Sequence, residues 1–368
     1  MSSEEDIRYF TPGPVQMPAE ICALGGRQVP YFRNEQFSRV VLDCERMLLE
    51  LAGAKRGSRV ILLTCSGTGA MEAAIANFCS RQDPALVINS QGFGQRLVDI
   101  CDTLQRPCEE VRLPLAVAFK PEHVQDVPAT KFSTVLCNAH DTMTGVRHDL
   151  PSLGEIARRN EALFLVDGIS SFLCDPIGMD DWGVDVLMIG SQKALALPPG
   201  LAILILSPRA VEHVRSRRQD PGSYYFDLAA GLDNADRGQT PFTPAVGIVL
   251  QLQARLESLC RIGVDECVRR TGKLAEYFRK AIVAARLPFR VYPDIPSNGI
   301  TALECMNPAL KADELVRDLD ESCGLYLTPN GGALRHSVFR VSHMGVQTEQ
   351  ALDNLVHALS DYVEKQGA

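Results

Sequence analysis

The sequence predicts an α/β protein. A large domain over residues 15–250 is expected to carry a mostly parallel sheet with helices on both faces, and a smaller α+β domain to take residues 251–368 together with 1–14. Three observations lead there. The chain has 368 residues, more than one hydrophobic core usually serves, since single cores seldom grow past roughly 250–300 residues. Between about 58 and 206, short apolar β-rich runs alternate with stretches of helical character, which is the pattern of a covered parallel sheet. After residue 250 the texture changes to long amphipathic helices with a few interleaved strands.

Taken in order, the predicted strands of the large domain are Arg59–Thr64, Ala85–Asn89, Ser133–Cys137, Ala162–Val166, Val184–Ile189 and Leu201–Leu206. Most are followed at once by glycine-rich or polar residues: Ser66-Gly-Thr-Gly69, Gln91-Gly-Phe-Gly94, His140–Gly145, Asp167-Gly168 and Gly190-Ser-Gln-Lys193. Open α/β sheets bind their ligands at the strand carboxyl ends, so chemistry is expected at that edge. In the second part, strands are predicted near Phe289–Tyr292, Gly299–Glu304, Gly324–Leu327 and Val338–Ser342. In the final helix Leu352, Leu355, Val356, Leu359, Tyr362 and Val363 share one face at helical spacing, which marks a core stripe.

Composition excludes several classes. Hydrophobic residues make up 46% and charged residues 22%, as in ordinary globular proteins. With 37 basic against 45 acidic residues, a net charge of -8 and no long basic run, the chain lacks the electrostatic footprint of a nucleic-acid binder. Its start, Met1-Ser-Ser-Glu-Glu-Asp6, is acidic where a signal or transit peptide is basic, and its apolar runs fall short of the roughly 20 residues that span a bilayer. A cytoplasmic protein without membrane contact is expected. Twelve scattered cysteines, none in two-residue pairs, read as reduced thiols, and seven histidines show no ligand spacing, so no metal is expected.

Thr64-Cys-Ser-Gly-Thr-Gly-Ala-Met-Glu72 follows a strand and opens an alanine-rich helix. The free amides and positive dipole end of such a helix, with the Ser66 and Thr68 hydroxyls, form a phosphate site. The stretch narrowly misses the dinucleotide fingerprint, because Glu72 stands where a third glycine belongs. Phe164-Leu-Val-Asp167 ends an apolar strand in a carboxylate, which can hold a bound pyridine nitrogen protonated or merely cap a turn. The next buried strand runs into Lys193. Poor solvation there lowers an ammonium pKa and frees an amine for Schiff-base chemistry. The acid-ended strand, the lysine-ended strand and the upstream phosphate turn together point to a pyridoxal-phosphate enzyme.

Ser191-Gln-Lys-Ala-Leu-Ala-Leu-Pro-Pro-Gly200 resembles the lysine signature of class V aminotransferases of fold type I, in the alanine–glyoxylate and serine–pyruvate branch. The similarity extends from Thr11-Pro-Gly-Pro14 to Phe339-Arg-Val-Ser-His-Met-Gly345. It implies that Ser66, Gly67 and Thr68 hold the cofactor phosphate, that Phe93 stacks on its ring, and that Thr142 bonds to it. It further implies that Asp167 meets the pyridine nitrogen, that Gln192 approaches the phosphate and that Lys193 carries the cofactor. Gln239-Thr-Pro-Phe-Thr243 is similar to the segment that crosses to the other subunit's phosphate, with Thr240 and Thr243 as contacts, so a homodimer is implied. Arg340, in a short apolar strand, is the expected ligand of the substrate carboxylate, its planar fork suiting that group. An internal ion pair is the other reading for a buried arginine. His343 is read as structural. Ala139 and Met143 depart from the family pattern, where histidine and a hydroxyl residue often stand.

The expected reaction moves an amino group from alanine, serine or a similar small amino acid to glyoxylate or pyruvate by a ping-pong route. A 2-aminoethylphosphonate–pyruvate transaminase is the alternative, for which Arg33 is the one further basic residue named. A desulfurase or other lyase of the same cofactor class would place histidine before the lysine, where Gln192 stands. A nicotinamide oxidoreductase would need the missing third glycine.

Overall fold

Six runs of uninterrupted apolar or nearly apolar residues build the centre of the molecule, and their chemistry dictates their place: a strand buried on both faces has no polar side to show. The computed structural model describes residues 8–125, 132–216 and 221–367. Its strands are β1 (Arg8–Tyr9), β2 (Arg59–Leu63), β3 (Ala85–Asn89), β4 (Cys108–Arg112), β5 (Thr134–Asn138), β6 (Leu163–Asp167), β7 (Val186–Gly190), β8 (Ala202–Leu206), β9 (Phe289–Val291), β10 (Ile300–Cys305), β11 (Leu325–Tyr326), β12 (Thr328–Pro329) and β13 (Val338–Ser342).

A seven-stranded sheet runs in the order β2-β8-β7-β6-β5-β3-β4. β8 lies antiparallel to both neighbours, and the remaining pairs are parallel. The carboxyl ends of β2, β3, β5, β6 and β7 therefore share one edge. The strand β4 escapes sequence reading because Cys-Glu-Glu-Val-Arg carries three charges. Its place at the sheet margin explains them, since edge strands use charge to discourage further pairing.

Helices cover both faces. On one, Glu35–Leu51 and Val246–Ile262 bury Val41, Leu48, Val249 and Leu256 against the sheet's Leu86, Val135 and Ile203. The Asn34 side chain caps the first of these helices by accepting from the Phe37 amide at 2.9 Å, a bond typical of a helix start. On the other face, Gly67–Phe78, Gly92–Thr103 and Pro208–Ser216 bury Ile75, Leu97 and Val214.

A second sheet, β12-β13-β10-β9, is antiparallel. Its core combines Phe10 near the start of the chain with Phe278, Leu303, Leu315 and Phe339. The stripe of the final helix, from Leu352 to Val363, is buried in the same cluster. Where one strand is predicted near Gly324–Leu327, two short ones form: β11 pairs with β1, and β12 pairs with β13. Gly324 itself, at φ 66°, closes the preceding helix Ala312–Cys323 in the left-handed region, which glycine enters without steric cost. Among the described residues no helix is long and apolar enough to cross a membrane. All twelve cysteines are free thiols.

Candidate active site

β6 delivers Asp167 to the carboxyl edge of the large sheet, where it is buried. One carboxylate oxygen accepts from the Ile169 amide at 2.9 Å, and the other accepts from the Asn138 side chain. Burial pushes its pKa up, while the Ile169 and Asn138 hydrogen bonds and the charges of His140 and Lys193 draw it back down. An anion kept by amides, with no ion pair within salt-bridge distance among the described residues, is positioned to meet a further cationic partner.

Lys193 lies three residues past β7, in a turn closed by the Ala196 amide on its carbonyl at 2.8 Å. Its Nζ donates to the Pro12 carbonyl at 2.7 Å. Burial lowers the ammonium pKa to about 8; the Asp167 charge works against that shift and Arg340 works with it. Lys193 is therefore close enough to Asp167 and to Arg340 to feel both charges. Gln192 is half-buried beside Gly190, where an added Cβ would stand 3.2 Å from its Oε1.

The turn after β2 starts the helix Gly67–Phe78, and Ser66 is its exposed N-cap. The Ser66 hydroxyl makes no capping bond, so it and the first amides stay available to an anion. Gly67 lets the helix start pack closely on Ile169, whose Cδ1 would lie 2.7 Å from an added Cβ and would have to move. Thr68 Oγ1 accepts from Arg96 at 2.8 Å, and the same guanidinium lies over the Phe93 ring, 4.4 Å from its centroid. Arg96 thus joins the phosphate turn to one face of Phe93, a link that sequence reading did not find.

Thr142 is buried after β5; its hydroxyl shares a hydrogen bond of 2.7 Å with Ser170. Its carbonyl accepts from Arg340 Nη1 at 3.1 Å, and the Pro329 carbonyl accepts from Nη2 at 2.8 Å. Arg340 Nε has no partner, and among the described residues no carboxylate lies within ion-pair distance of the guanidinium, the nearest acidic influence being the Asp141 charge. Burial lowers its pKa to about 10, partly offset by Asp141. His343 is buried and shares a hydrogen bond of 2.8 Å with Thr301, and burial holds it neutral with a pKa of about 3.

Thr240 and Thr243 do not join this group within one chain. Thr240 Oγ1 donates to the Phe242 carbonyl at 2.7 Å, and Thr243 is exposed. Arg33 is likewise drawn elsewhere: it donates to Gln239 at 3.1 Å and to the Thr240 carbonyl at 2.7 Å. Ala139 packs into the core of the large sheet, and Met143 packs against the cluster of Ala302, Leu334 and Val338. Sequence reading also missed Asn138, although its place at the end of an apolar run, level with Asp167 across β5 and β6, was a usable signal. It missed the buried pair of His140 Nδ1 and Asp175 at 2.9 Å too.

Lys193 just past β7 and Asp167 at the end of β6 lie at one edge of this sheet, beside a helix start with free amides, the arrangement expected of a pyridoxal-phosphate-dependent transaminase. The family model of class V aminotransferases matches residues 23–347, and the chain belongs to that family. It is 29% identical to the L-aspartate–glyoxylate aminotransferase of Paracoccus denitrificans, over 95% of this chain and 88% of that one. It is also 29% identical to the small subunit of a soluble hydrogenase from Synechococcus, over 99% of this chain and 94% of that one. Among solved structures, a subgroup IV aspartate aminotransferase from Thermus thermophilus superposes with a TM-score of 0.88 at 27% identity, covering 97% and 99% of the two chains.

Proposed function

We propose that this transaminase takes the amino group of a small α-amino acid and gives it to glyoxylate or pyruvate, by a ping-pong route in the cytoplasm. The observation that carries the reading is Arg340: a part-buried guanidinium whose charge acts on Lys193, bound among the described residues to two backbone carbonyls and with Nε unpartnered. A buried cation in that condition is costly until an anion meets it. A carboxylate presents two oxygens to its fork. The similarity to the L-aspartate–glyoxylate aminotransferase of Paracoccus denitrificans supports glyoxylate as acceptor.

Pyridoxal phosphate fits the residues present. The uncapped Ser66 hydroxyl, the helix start at Gly67 and the Thr68 hydroxyl would hold its phosphate. Phe93 and Thr142 would flank the ring, Gln192 would approach the phosphate, and Asp167 would face the ring nitrogen. When bound, the cofactor supplies an electron sink for the bond cleaved at the substrate's α-carbon. Lys193 would hold the cofactor, and its amine, when free and neutral, would take up the substrate's α-proton and return it. Asp167 would accept a hydrogen bond from the ring nitrogen, and Arg340 would bind and orient the substrate carboxylate.

The working unit in this proposal is a homodimer in which Thr240 and Thr243 serve the partner's phosphate site. Supporting this, the segment is flanked by exposed aromatic surface: Tyr224 is 87% exposed, and Tyr225 stacks on Phe242 at 4.9 Å. Light scattering should give twice the chain mass, and a monomer that binds the cofactor fully would defeat this part.

Loaded protein should be mixed in single turnovers with alanine, serine, aspartate and 2-aminoethylphosphonate, and the oxo product assayed, followed by glyoxylate or pyruvate. Conversion of one of the three carboxylates, lost in Arg340→Gln mainly as a rise in KM, is the expected result. Preference for the phosphonate, or no conversion of any donor, overturns it.

A further inference from the structure

We propose that Pro12 and Gly13 are positioning residues for Lys193: the Pro12 carbonyl anchors one N–H of its amine, and the bare α-carbon of Gly13 makes room for its side chain. This rests on the function proposed for Lys193 and adds a part played by the start of the chain.

The geometry is specific. Nζ donates to the Pro12 carbonyl at 2.7 Å. A Cβ placed on Gly13 would stand 2.7 Å from Lys193 Cδ, 2.9 Å from Cε and 3.0 Å from Nζ. The lysine's terminal three atoms therefore lie directly against Gly13, closer than any side chain permits. Gly13 also has φ +142°, a conformation that L side chains rarely adopt. Position and conformation both select glycine.

The carbonyl is held from behind. The Phe10 amide donates to the Tyr326 carbonyl and the Phe10 carbonyl accepts from the Ser342 amide, each at 2.8 Å. Phe10 itself is wholly buried in the second core. Thr11 Oγ1 donates to the Pro14 carbonyl and braces the turn. The seat of the lysine is thus tied to β13, the strand that carries Arg340 two residues before Ser342.

The chemical consequence follows from counting hydrogens. A neutral amine has two N–H bonds and one lone pair. Anchoring one N–H at Pro12 restricts rotation about Cε–Nζ and aims the lone pair away from the N-terminal segment. When Nζ takes up the α-proton it has three N–H bonds, and the same carbonyl still accepts one of them. The positive charge is then met by a dipole already in place, with no reorganisation. The proton comes from the substrate, rests on Nζ and leaves again, so nothing is left over.

The test compares wild type with Gly13→Ala and Thr11→Val. Each protein is incubated with pyridoxal phosphate, reduced with borohydride at timed intervals, and digested; mass spectrometry reports the label on residue 193. Total cofactor retained without reduction is measured alongside. Gly13→Ala should retain cofactor but acquire the label at Lys193 about 10- to 100-fold more slowly, the range a misplacement of about 1 Å produces. Thr11→Val, which inserts no Cβ at the lysine, should slow labelling a few-fold, and it decides the matter if Gly13→Ala does not fold. Wild-type labelling rates in the folded variants overturn the positioning role. Absence of label on Lys193 in wild type overturns instead the function proposed for that residue.

Discussion

The two edges of the large sheet treat buried charge in opposite ways. At the amino edge Asp185, just before β7, accepts from Ser207 at 2.7 Å, from the Phe164 amide at 2.9 Å and from Arg209 Nε at 3.1 Å, with Arg209 Nη2 on its second oxygen. Its bonding is saturated. At the carboxyl edge, Asp167 is held by an amide and a carboxamide, Lys193 by one carbonyl and Arg340 by two. Lys193 feels both other charges, yet among the described residues none of the three is neutralised by direct contact. A fold gains rigidity by saturating a buried ion, whereas a site keeps its ions under-bonded so that a ligand can complete them.

Breaking the under-bonded side should cost the most activity and the least stability. Lys193→Ala removes the amine proposed to carry the α-proton, so the donor half-reaction should fall by about 10²–10⁴, the usual span for a lost general base. Its amine also gives a pH signature. In cofactor-free protein with a Lys193 pKa of about 8, labelling of residue 193 by a small acylating reagent should rise through that pH and level above it. An ordinary lysine, at about 10.4, would still be rising. Asp167→Asn comes next, with an expected loss of about 10²–10³ in the half-reaction, as for other preorganised electrostatic contacts. It should also move the labelling midpoint downward, because the Asp167 charge favours the lysine ammonium. A midpoint that stays in place or rises would show that the two groups do not sense each other.

The saturated side predicts the reverse. Asp185→Asn keeps the shape but removes the charge that Arg209 meets. Since Arg209 is half exposed, with 49% of its side chain accessible, solvent screening limits the loss to about 1–3 kcal/mol of folding stability. A denaturant melt should register that loss while the loaded enzyme's kcat and KM hold steady. Impaired kinetics with unchanged stability would erase the contrast between the edges.

The same contrast explains what the sequence disclosed. The buried strands β2, β3 and β5–β8 were legible as unbroken apolar runs, and Asp167 and Lys193 were legible because each follows such a run into the ligand edge. β4 was hidden by its charges. Pro12 could not be found, because its contact with Lys193 spans 181 positions and uses only its carbonyl, which every residue possesses. Arg96 had no signal beyond an ordinary helix position, and its role depends on the packing of the helix Gly92–Thr103 beside Gly67–Phe78. Arg33 was visible in sequence as a basic residue, but its bonds to Gln239 and the Thr240 carbonyl were not.

Arg96 offers the finest test, because it lies between the two regimes. Its guanidinium has the Thr68 hydroxyl and the Phe93 ring for partners, so it is neither saturated by an acid nor left bare. A cation over an aromatic face at a partly exposed site contributes about 0.5–1 kcal/mol, and the hydroxyl bond contributes a similar amount, about 0.5–1.5 kcal/mol net. Arg96→Gln keeps a donor for Thr68 but removes the charge over Phe93 and the positive potential beside the phosphate turn. Cofactor affinity should fall about two- to fivefold by the first of these terms, with the fold unchanged and the half-reaction of the loaded enzyme unaltered. Arg96→Lys restores charge without the planar face and should recover part of the affinity. If Gln and Lys bind the cofactor equally well, charge is irrelevant here and Arg96 belongs with Asp185 as a brace. If Lys alone recovers binding, Arg96 belongs with the under-bonded ions of the carboxyl edge.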